Sequence, residues 1–303
     1  MNASSRAAPQ GALGGARAFG SLVAFSHTIF ALPFAASAVI MALSVPHAPL
    51  SWWRLLAMLA CMVAARTAAM AFNRYLDRHI DAKNPRTAGR EIPSGAVSPS
   101  AALGLTVACS AFFVAASAAL GPVCAALSPI VLVVLLGYSY TKRFTWAAHL
   151  VLGLALALAP GGAWLAMGAA PNAAIVALML AVLTWVAGFD VLYSLQDEAF
   201  DRNAGLHSIP ARFGTLGAVS LSAALHVVTA LSMIAAGILL GRGALYFVGV
   251  GAVTLLLVYE HAIVGRGNLA RIDRAFFTIN GYVSVLFFAL TLLDAWRLGL
   301  LGG

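Results

Sequence analysis

Charge is scarce in this chain of 303 residues: Asp, Glu, Lys and Arg make up 9% of it, where soluble domains carry about 25%. Only ten residues are acidic. Cysteine is rarer still. Cys61, Cys109 and Cys124 all fall in apolar runs without CxxC spacing, which argues against a metal or redox role and reads as buried free thiols. No Walker motif, GxGxxG fingerprint, catalytic triad or HExxH is present. The alternating pattern of a membrane β-barrel is also absent. The first residues do not make a persuasive signal peptide. Residues 1–18 are rich in Ala, Gly and Ser and read as a flexible tail, and the apolar run after them, with His27 and Pro33, reads as a retained first helix.

Apolar residues are what the chain has in abundance, at 62%. No soluble globule of this size has interior enough to hide that much apolar surface. The runs are about 20 residues long, the length of a membrane-crossing helix. Their limits predict nine spans, at 19–44, 52–82, 100–120, 122–140, 147–168, 172–198, 215–240, 244–265 and 272–298. The expected fold is therefore all-α, a polytopic membrane bundle of nine helices forming a single domain over 19–303.

The turns alternate in character. Those at Pro46 and Pro49, Gly121 and Pro122, Gly168 and Pro171, and Gly241 and Gly243 are short and nearly uncharged. Those after spans two, four, six and eight are longer and hold Lys83, Arg86 and Arg90, then Lys142 and Arg143, then Arg202 and Arg212, then Arg266 and Arg271. Arg6 and Arg17 precede span one on the same side. The positive-inside rule makes that side cytoplasmic, with the N-terminus inside and the C-terminus outside. The net charge of +8 thus points to topology, anionic lipid or a polyanionic substrate rather than to nucleic acid.

Five aspartates stand in two short helical stretches, NRYLDRHID at 73–81 and DVLYSLQDEAFD at 190–201. Asn73, Asp77 and Asp81 are spaced i, i+4, i+8, one stripe about 12 Å long on a helix. Asp190, Tyr193, Asp197 and Asp201 are spaced i, i+3, i+7, i+11, again one face. A carboxylate at the centre of a membrane helix costs roughly 2.5–3.5 kcal/mol, less near the interface, so neither stripe suits lipid. Arg66, Arg74, Arg78 and Arg202 are near enough in sequence to neutralise them, and solvated helix ends or structural ion pairs are the plain alternatives. Two facing stripes of hard oxygen ligands also suit Mg2+, which takes one or two carboxylates, keeps waters and shares the oxygens of a phosphate. Lys142, Arg143, Arg66 and the basic loops suit the same phosphate, with topology the equal reading for any single loop residue. The clusters sit four spans apart in one orientation, as a duplicated four-helix unit would place them.

The pair NxxxDxxxD and DxxYxxxDxxxD, each followed by a basic loop, resembles the UbiA family of intramembrane aromatic prenyltransferases. FSHTIFALPFA at 25–35, NPRTAGREIPSGAVS at 84–98, YSYTKRFTWAAHLVLG at 138–153 and GLHSIPARFG at 205–214 extend the likeness along nearly the whole chain. The resemblance implies nine helices around a central chamber in the cytoplasmic membrane of a bacterium, with the site's mouth on the cytoplasmic side. It implies a polyprenyl diphosphate bound through Mg2+ by Asn73, Asp77, Asp81, Asp190, Asp197 and Asp201. Arg66, Lys142, Arg143 and Tyr193 match positions near the diphosphate or an aromatic hydroxy acid. The implied reaction moves the polyprenyl group onto 4-hydroxybenzoate or a similar acceptor for respiratory quinone biosynthesis.

Arg74 departs from many 4-hydroxybenzoate enzymes, which have Asp there. The NR start, QDEAFD and GLHSIP are similar to relatives in the futalosine route to menaquinone, whose acceptor is a dihydroxynaphthoate. Both acceptors carry a carboxylate, so both call for a cation such as Arg66 or Arg143. Phe30, Tyr138 and Tyr140 are aromatic faces that suit an allylic cation or simple packing. His27 and His207 stand between an acceptor contact and self-satisfied burial. His79 is expected to face solvent or a neighbour, Asn280 to join helices, Glu198 to pair with an Arg, and Glu260 and Asp273 to be structural. A cation-coupled transporter is the distant alternative, and it would place its carboxylates near the midplane.

Overall fold

The computed structural model describes residues 28–264 and 275–301, and every regular element among them is helical. In chain order these are α1 (Thr28–Ala42), α2 (Trp52–Asp81), α3 (Pro99–Leu120), α4 (Pro122–Thr141), α5 (Ala148–Ala166), α6 (Ala173–Ser194), α7 (Glu198–Ala204), α8 (Ile209–Leu239), α9 (Ala244–Val264) and α10 (Asn280–Arg297). A 3-10 turn, Leu195–Asp197, joins α6 to α7, and a π turn, Ala275–Ile279, leads into α10. Helix starts are set by side-chain caps that satisfy otherwise orphaned N–H groups. Ser51 accepts from Arg54 N, Ser98 from Ala101 N, Asn172 from Ala174 N and Ile175 N, and Ser208 from Ala211 N.

Among the described residues eight helices are long and apolar enough to cross a membrane. The ninth expected span is represented by α1, whose apolar stretch Phe30–Ala42 is shorter than that, and its start lies outside the described residues, as do the tail at 1–18, His27 and Asp273. The apolar runs and the exposed Val107, Phe112, Ile130, Val133, Leu231 and Leu255 identify an integral membrane protein whose outer surface suits lipid.

Two sequence expectations give way. The stripe from Asp190 to Asp201 is not one regular helix, because the 3-10 turn at Leu195–Asp197 interrupts it and rotates Asp197 and Asp201 relative to Asp190. The stretch 205–214 is not all loop, because α8 begins at Ile209 and bends at Gly214, whose φ of 71° favours glycine.

The packing centre is α6, which lies against α5 and α8, while α1 packs on α5 and α10. A Cβ at Gly153 of α5 would stand 2.2 Å from the carbonyl oxygen of Leu183 on α6, so the two backbones approach only because that residue is glycine. The core between these helices is aromatic. The Phe34 ring lies 4.9 Å from Trp185 and 5.2 Å from Phe287, and Phe30 lies 5.6 Å from Phe189. Polar links cross it. Trp185 Nε1 donates to Asn280 Oδ1 at 2.8 Å, and Asn280 Nδ2 donates to Glu260 Oε1 at 2.7 Å, which joins α6, α9 and α10 as expected of Asn280. Glu260, 1% exposed, is structural as expected. Cys61, Cys109 and Cys124 are free, with Cys61 buried and the other two half-buried.

α2, α3 and α4 form an outer wall, with α2 against both of the others. Between this wall and α1, α5 and α6 lies an apolar cavity of about 460 Å³. Its lining runs from Ala166 and Pro171 at one end to Arg66, Met70 and Tyr138 at the other.

Replacing Asn280 with Leu strands the Trp185 N–H and a Glu260 oxygen in the interior. The expected loss is about 1–3 kcal/mol for each buried group left unpaired, seen as a lower thermal midpoint in detergent. Tyr282→Leu, at an exposed position on the same helix, should leave the midpoint unchanged.

Candidate active site

Asn73, Asp77 and Asp81 occupy the last turns of α2 one helical turn apart, so they line up along one side. Asp77 is 1% exposed and Asp81 3%. Carboxylates that deep must be matched by charge or hydrogen bonds. The chain end of α4 supplies both for Asp77. Lys142 Nζ lies 2.5 Å from Oδ2, Arg143 Nη2 lies 3.2 Å from Oδ1, and Asn73 Nδ2 donates to Oδ2 at 3.2 Å. Asn73 Nδ2 also donates to Ser139 Oγ on α4 at 3.2 Å. Arg90 Nη1 holds Asp81 Oδ1 at 2.8 Å, whereas Asp81 Oδ2 is buried without a hydrogen-bond partner.

The turns after α2 reach across to the second cluster. Thr87 Oγ1 donates to the Asp81 carbonyl, and the Asn84 side chain accepts from Arg86 N at 3.0 Å. That local turn sends Asn84 Nδ2 to Asp197 Oδ1 at 3.1 Å and Arg86 Nε to the same oxygen at 2.9 Å. Arg86 Nη2 engages Asp197 Oδ2, which makes the grip bidentate. Arg86 Nη1 donates to Tyr193 OH at 3.2 Å. Asp190 receives His149 Nδ1 from α5 at 2.7 Å, and Asp201 is bonded by the Ser208 hydroxyl and lies in the field of Lys142. The two acidic clusters therefore share one end of the bundle, with the basic residues laced between them.

The cavity wall ends within a helical turn of this rim: Met70 and Tyr138 line the cavity, while Asn73 and Ser139 belong to the rim. Arg66 and Tyr138 are together at that end of the cavity wall. Asp77, Asp81, Asp190, Asp197, Asp201, Asn73, Tyr193, Lys142 and Arg143 all stand on the rim; Arg66 stands below it in the wall.

The aspartates are not gathered into a ready nest. Among the described residues no three His, Cys, Asp or Glu side chains come close enough to hold a metal ion. The reason is that Lys142, Arg143, Arg90, Arg86 and His149 each sit on a carboxylate and spread them around the rim. The donor set still fits a hard divalent cation, with carboxylate oxygens from both clusters, the Asn73 amide oxygen and the buried, unpartnered Asp81 Oδ2.

Other expectations sort cleanly. Glu198 pairs with Arg202 at 2.9 Å and accepts from Thr215. Arg74 is shared between Glu91 and the rim: its Nε lies 3.6 Å from Glu91 Oε2, and its Nη1 donates to Asn73 Oδ1. Of the aromatic candidates only Tyr138 lines the cavity. Phe30 is packed in the aromatic core, and Tyr140 is exposed beside Phe72, ring centroids 5.9 Å apart. His79 and His207 are exposed, and His207 contributes its backbone N–H to the Lys142 carbonyl. Sequence reading missed Asn84 and His149 and left Arg86 and Arg90 between topology and a phosphate contact. An imidazole in an apolar run, seven residues after Lys142, was the available signal for His149.

Interleaved acids and bases at the end of an apolar cavity suit a ligand with a charged head and an apolar tail. A profile of the UbiA prenyltransferase family matches residues 13–292. The 4-hydroxybenzoate octaprenyltransferase of Aeromonas hydrophila is 30% identical over 237 residues, 78% of this chain and 82% of that protein. The apo structure of a UbiA homolog from Aeropyrum pernix K1 superimposes with a TM-score of 0.80 at 35% identity, covering 88% of this chain and 98% of that one. A UbiA homolog from Archaeoglobus fulgidus bound to GPP and Mg2+ shares the fold, with a TM-score of 0.71 at 18% identity over 92% of this chain and 99% of that one. The chain belongs to the UbiA prenyltransferase family and is a prenyltransferase, which removes the transporter alternative.

Arg86 joins the turns after α2 to Asp197 without being part of the packed core. Arg86→Gln should therefore raise hydrogen exchange across residues 84–97 while exchange in α6 stays slow, as read by mass spectrometry.

Proposed function

We propose that this protein transfers a polyprenyl group from a polyprenyl diphosphate to a ring carbon of an aromatic hydroxy acid of the 4-hydroxybenzoate type, in a Mg2+-dependent step of respiratory quinone biosynthesis. The observation that carries this reading is the junction of the Asp77–Lys142–Arg143 and Asp197–Arg86–Asn84 groups with the apolar cavity. The hydroxybenzoate relatives support the acceptor class. By the positive-inside rule the rim faces the cytoplasm of a bacterial inner membrane.

Asn73, Asp77, Asp81, Asp190, Asp197 and Asp201 would hold Mg2+, which when bound neutralises the diphosphate and makes it a better leaving group. The chain's own contribution begins with Lys142, Arg143, Arg86 and Arg90. Their cationic groups are already at the rim and paired to carboxylates, so an arriving diphosphate meets preorganised positive charge. The cavity takes the first part of the prenyl chain and keeps water from the allylic carbocation left when the C–O bond breaks. Arg66 binds the acceptor carboxylate from the cavity wall, and the neighbouring Tyr138 ring faces the developing cation. The electron-rich ring carbon forms the new C–C bond, and its proton passes to a rim aspartate. A long tail leaves sideways into the bilayer.

Purified protein given one long prenyl diphosphate should prenylate 4-hydroxybenzoate in a Mg2+-dependent way, read by mass spectrometry. Asp77→Ala or Asp197→Ala should lower kcat/KM by about 100-fold or more, the scale of losing one preorganised charge-stabilising group. Full activity in either variant would remove the ion-site reading. Transfer to a dihydroxynaphthoate in place of 4-hydroxybenzoate would move the acceptor to the naphthoate class.

A further inference from the structure

The imidazole of His149 is 5% exposed and touches two other helices. The backbone N–H of Ile209, in the first turn of α8, donates to its Nε2 at 3.3 Å. An N–H can only donate, so Nε2 must carry the lone pair. The ring proton then resides on Nδ1, which lies 2.7 Å from Asp190 Oδ2 and donates to it. One hydrogen bond thus selects the tautomer that the other needs.

The same stretch of chain is tied down at each neighbouring residue. His207 N–H donates to the Lys142 carbonyl at 2.8 Å, and the Ser208 side chain bonds Asp201. Residues 207–209 therefore set the positions of Lys142, Asp201 and, through His149, Asp190. Asp190 itself is on α6, before the 3-10 turn that carries Asp197. From α5 the ring of His149 holds Oδ2 of that carboxylate and leaves Oδ1 as the oxygen not engaged by the ring.

We infer that His149 is a positioning residue for the second acidic cluster: it orients the Asp190 carboxylate for a cation–diphosphate ligand and locks it to the start of α8. This rests on the metal-site reading above. Orienting partners behind a ligating carboxylate are worth about 10–100-fold in metal affinity or activity.

The test uses the full chain in detergent with inorganic pyrophosphate at fixed concentration and Mg2+ titrated, reading the thermal midpoint. His149→Phe keeps a ring without a donor, and His149→Asn keeps a donor near the place of Nδ1. His149→Phe should need about 10–100-fold more Mg2+ than wild type for half of the stabilisation, while His149→Asn stays within about threefold. A wild-type Mg2+ requirement in His149→Phe overturns the inference, as does equal impairment in His149→Asn. If His149→Phe does not fold, His149→Gln replaces it, since its amide sits one atom too far out; an equal Mg2+ requirement in the Asn and Gln variants then overturns the inference. Stabilisation of the wild type by Mg2+ and pyrophosphate without prenyl transfer to any acceptor would defeat the proposed function and leave the role of His149 standing. Absence of that stabilisation in the wild type overturns the role of His149.

Discussion

A carboxylate taken out of water has to be met by positive charge or by donors, and this requirement organises one whole end of the bundle. Asp77 is the clearest case. It is almost fully buried at the end of α2, and it draws Lys142 and Arg143 from the end of α4 and Asn73 from its own helix. Asp197 does the same to Asn84 and Arg86. Because each acid takes partners from another element, the pairing stitches α2, its following turns, α4 and α6 into one rim.

That arrangement suits a ligand that is itself an anion bound with a cation. Under the proposed function the bases of these pairs would turn to phosphate and the acids to a metal ion. The unpartnered Asp81 Oδ2 marks where the pairing is incomplete. Beneath the rim the polar groups thin out to Arg66 and Tyr138, and below them the cavity is apolar. A head-and-tail substrate is thus matched in chemistry along its length. Arg74 joins this rim through Asn73 while its Nε lies against Glu91.

The opposite side of α6 solves a different problem. There the buried polar groups Trp185, Asn280 and Glu260 satisfy one another across three helices. These bonds, with the Gly153 contact and the aromatic core, hold α5, α6, α9 and α10 in register. The rim depends on that register, since Asp190 and His149 come from α6 and α5.

Hydrophobic run length and the spacing of acids are local properties, and the sequence by itself determined what depends on them: the all-helical membrane class, eight of the spans, the line of Asn73, Asp77 and Asp81, and the family. The partners of Phe30, Tyr140 and Arg86 were not legible there, because a helical period tells which residues share a face but not which neighbour that face meets. Nor was the break at Leu195–Asp197, where the period continues through a stretch that the backbone does not follow as a regular helix. Only the tertiary structure decided that Arg86 crosses 111 positions of sequence to hold Asp197, and that His149 crosses 41 to hold Asp190. Those contacts arise from burial of charge between helices, and burial is a property of the packed bundle.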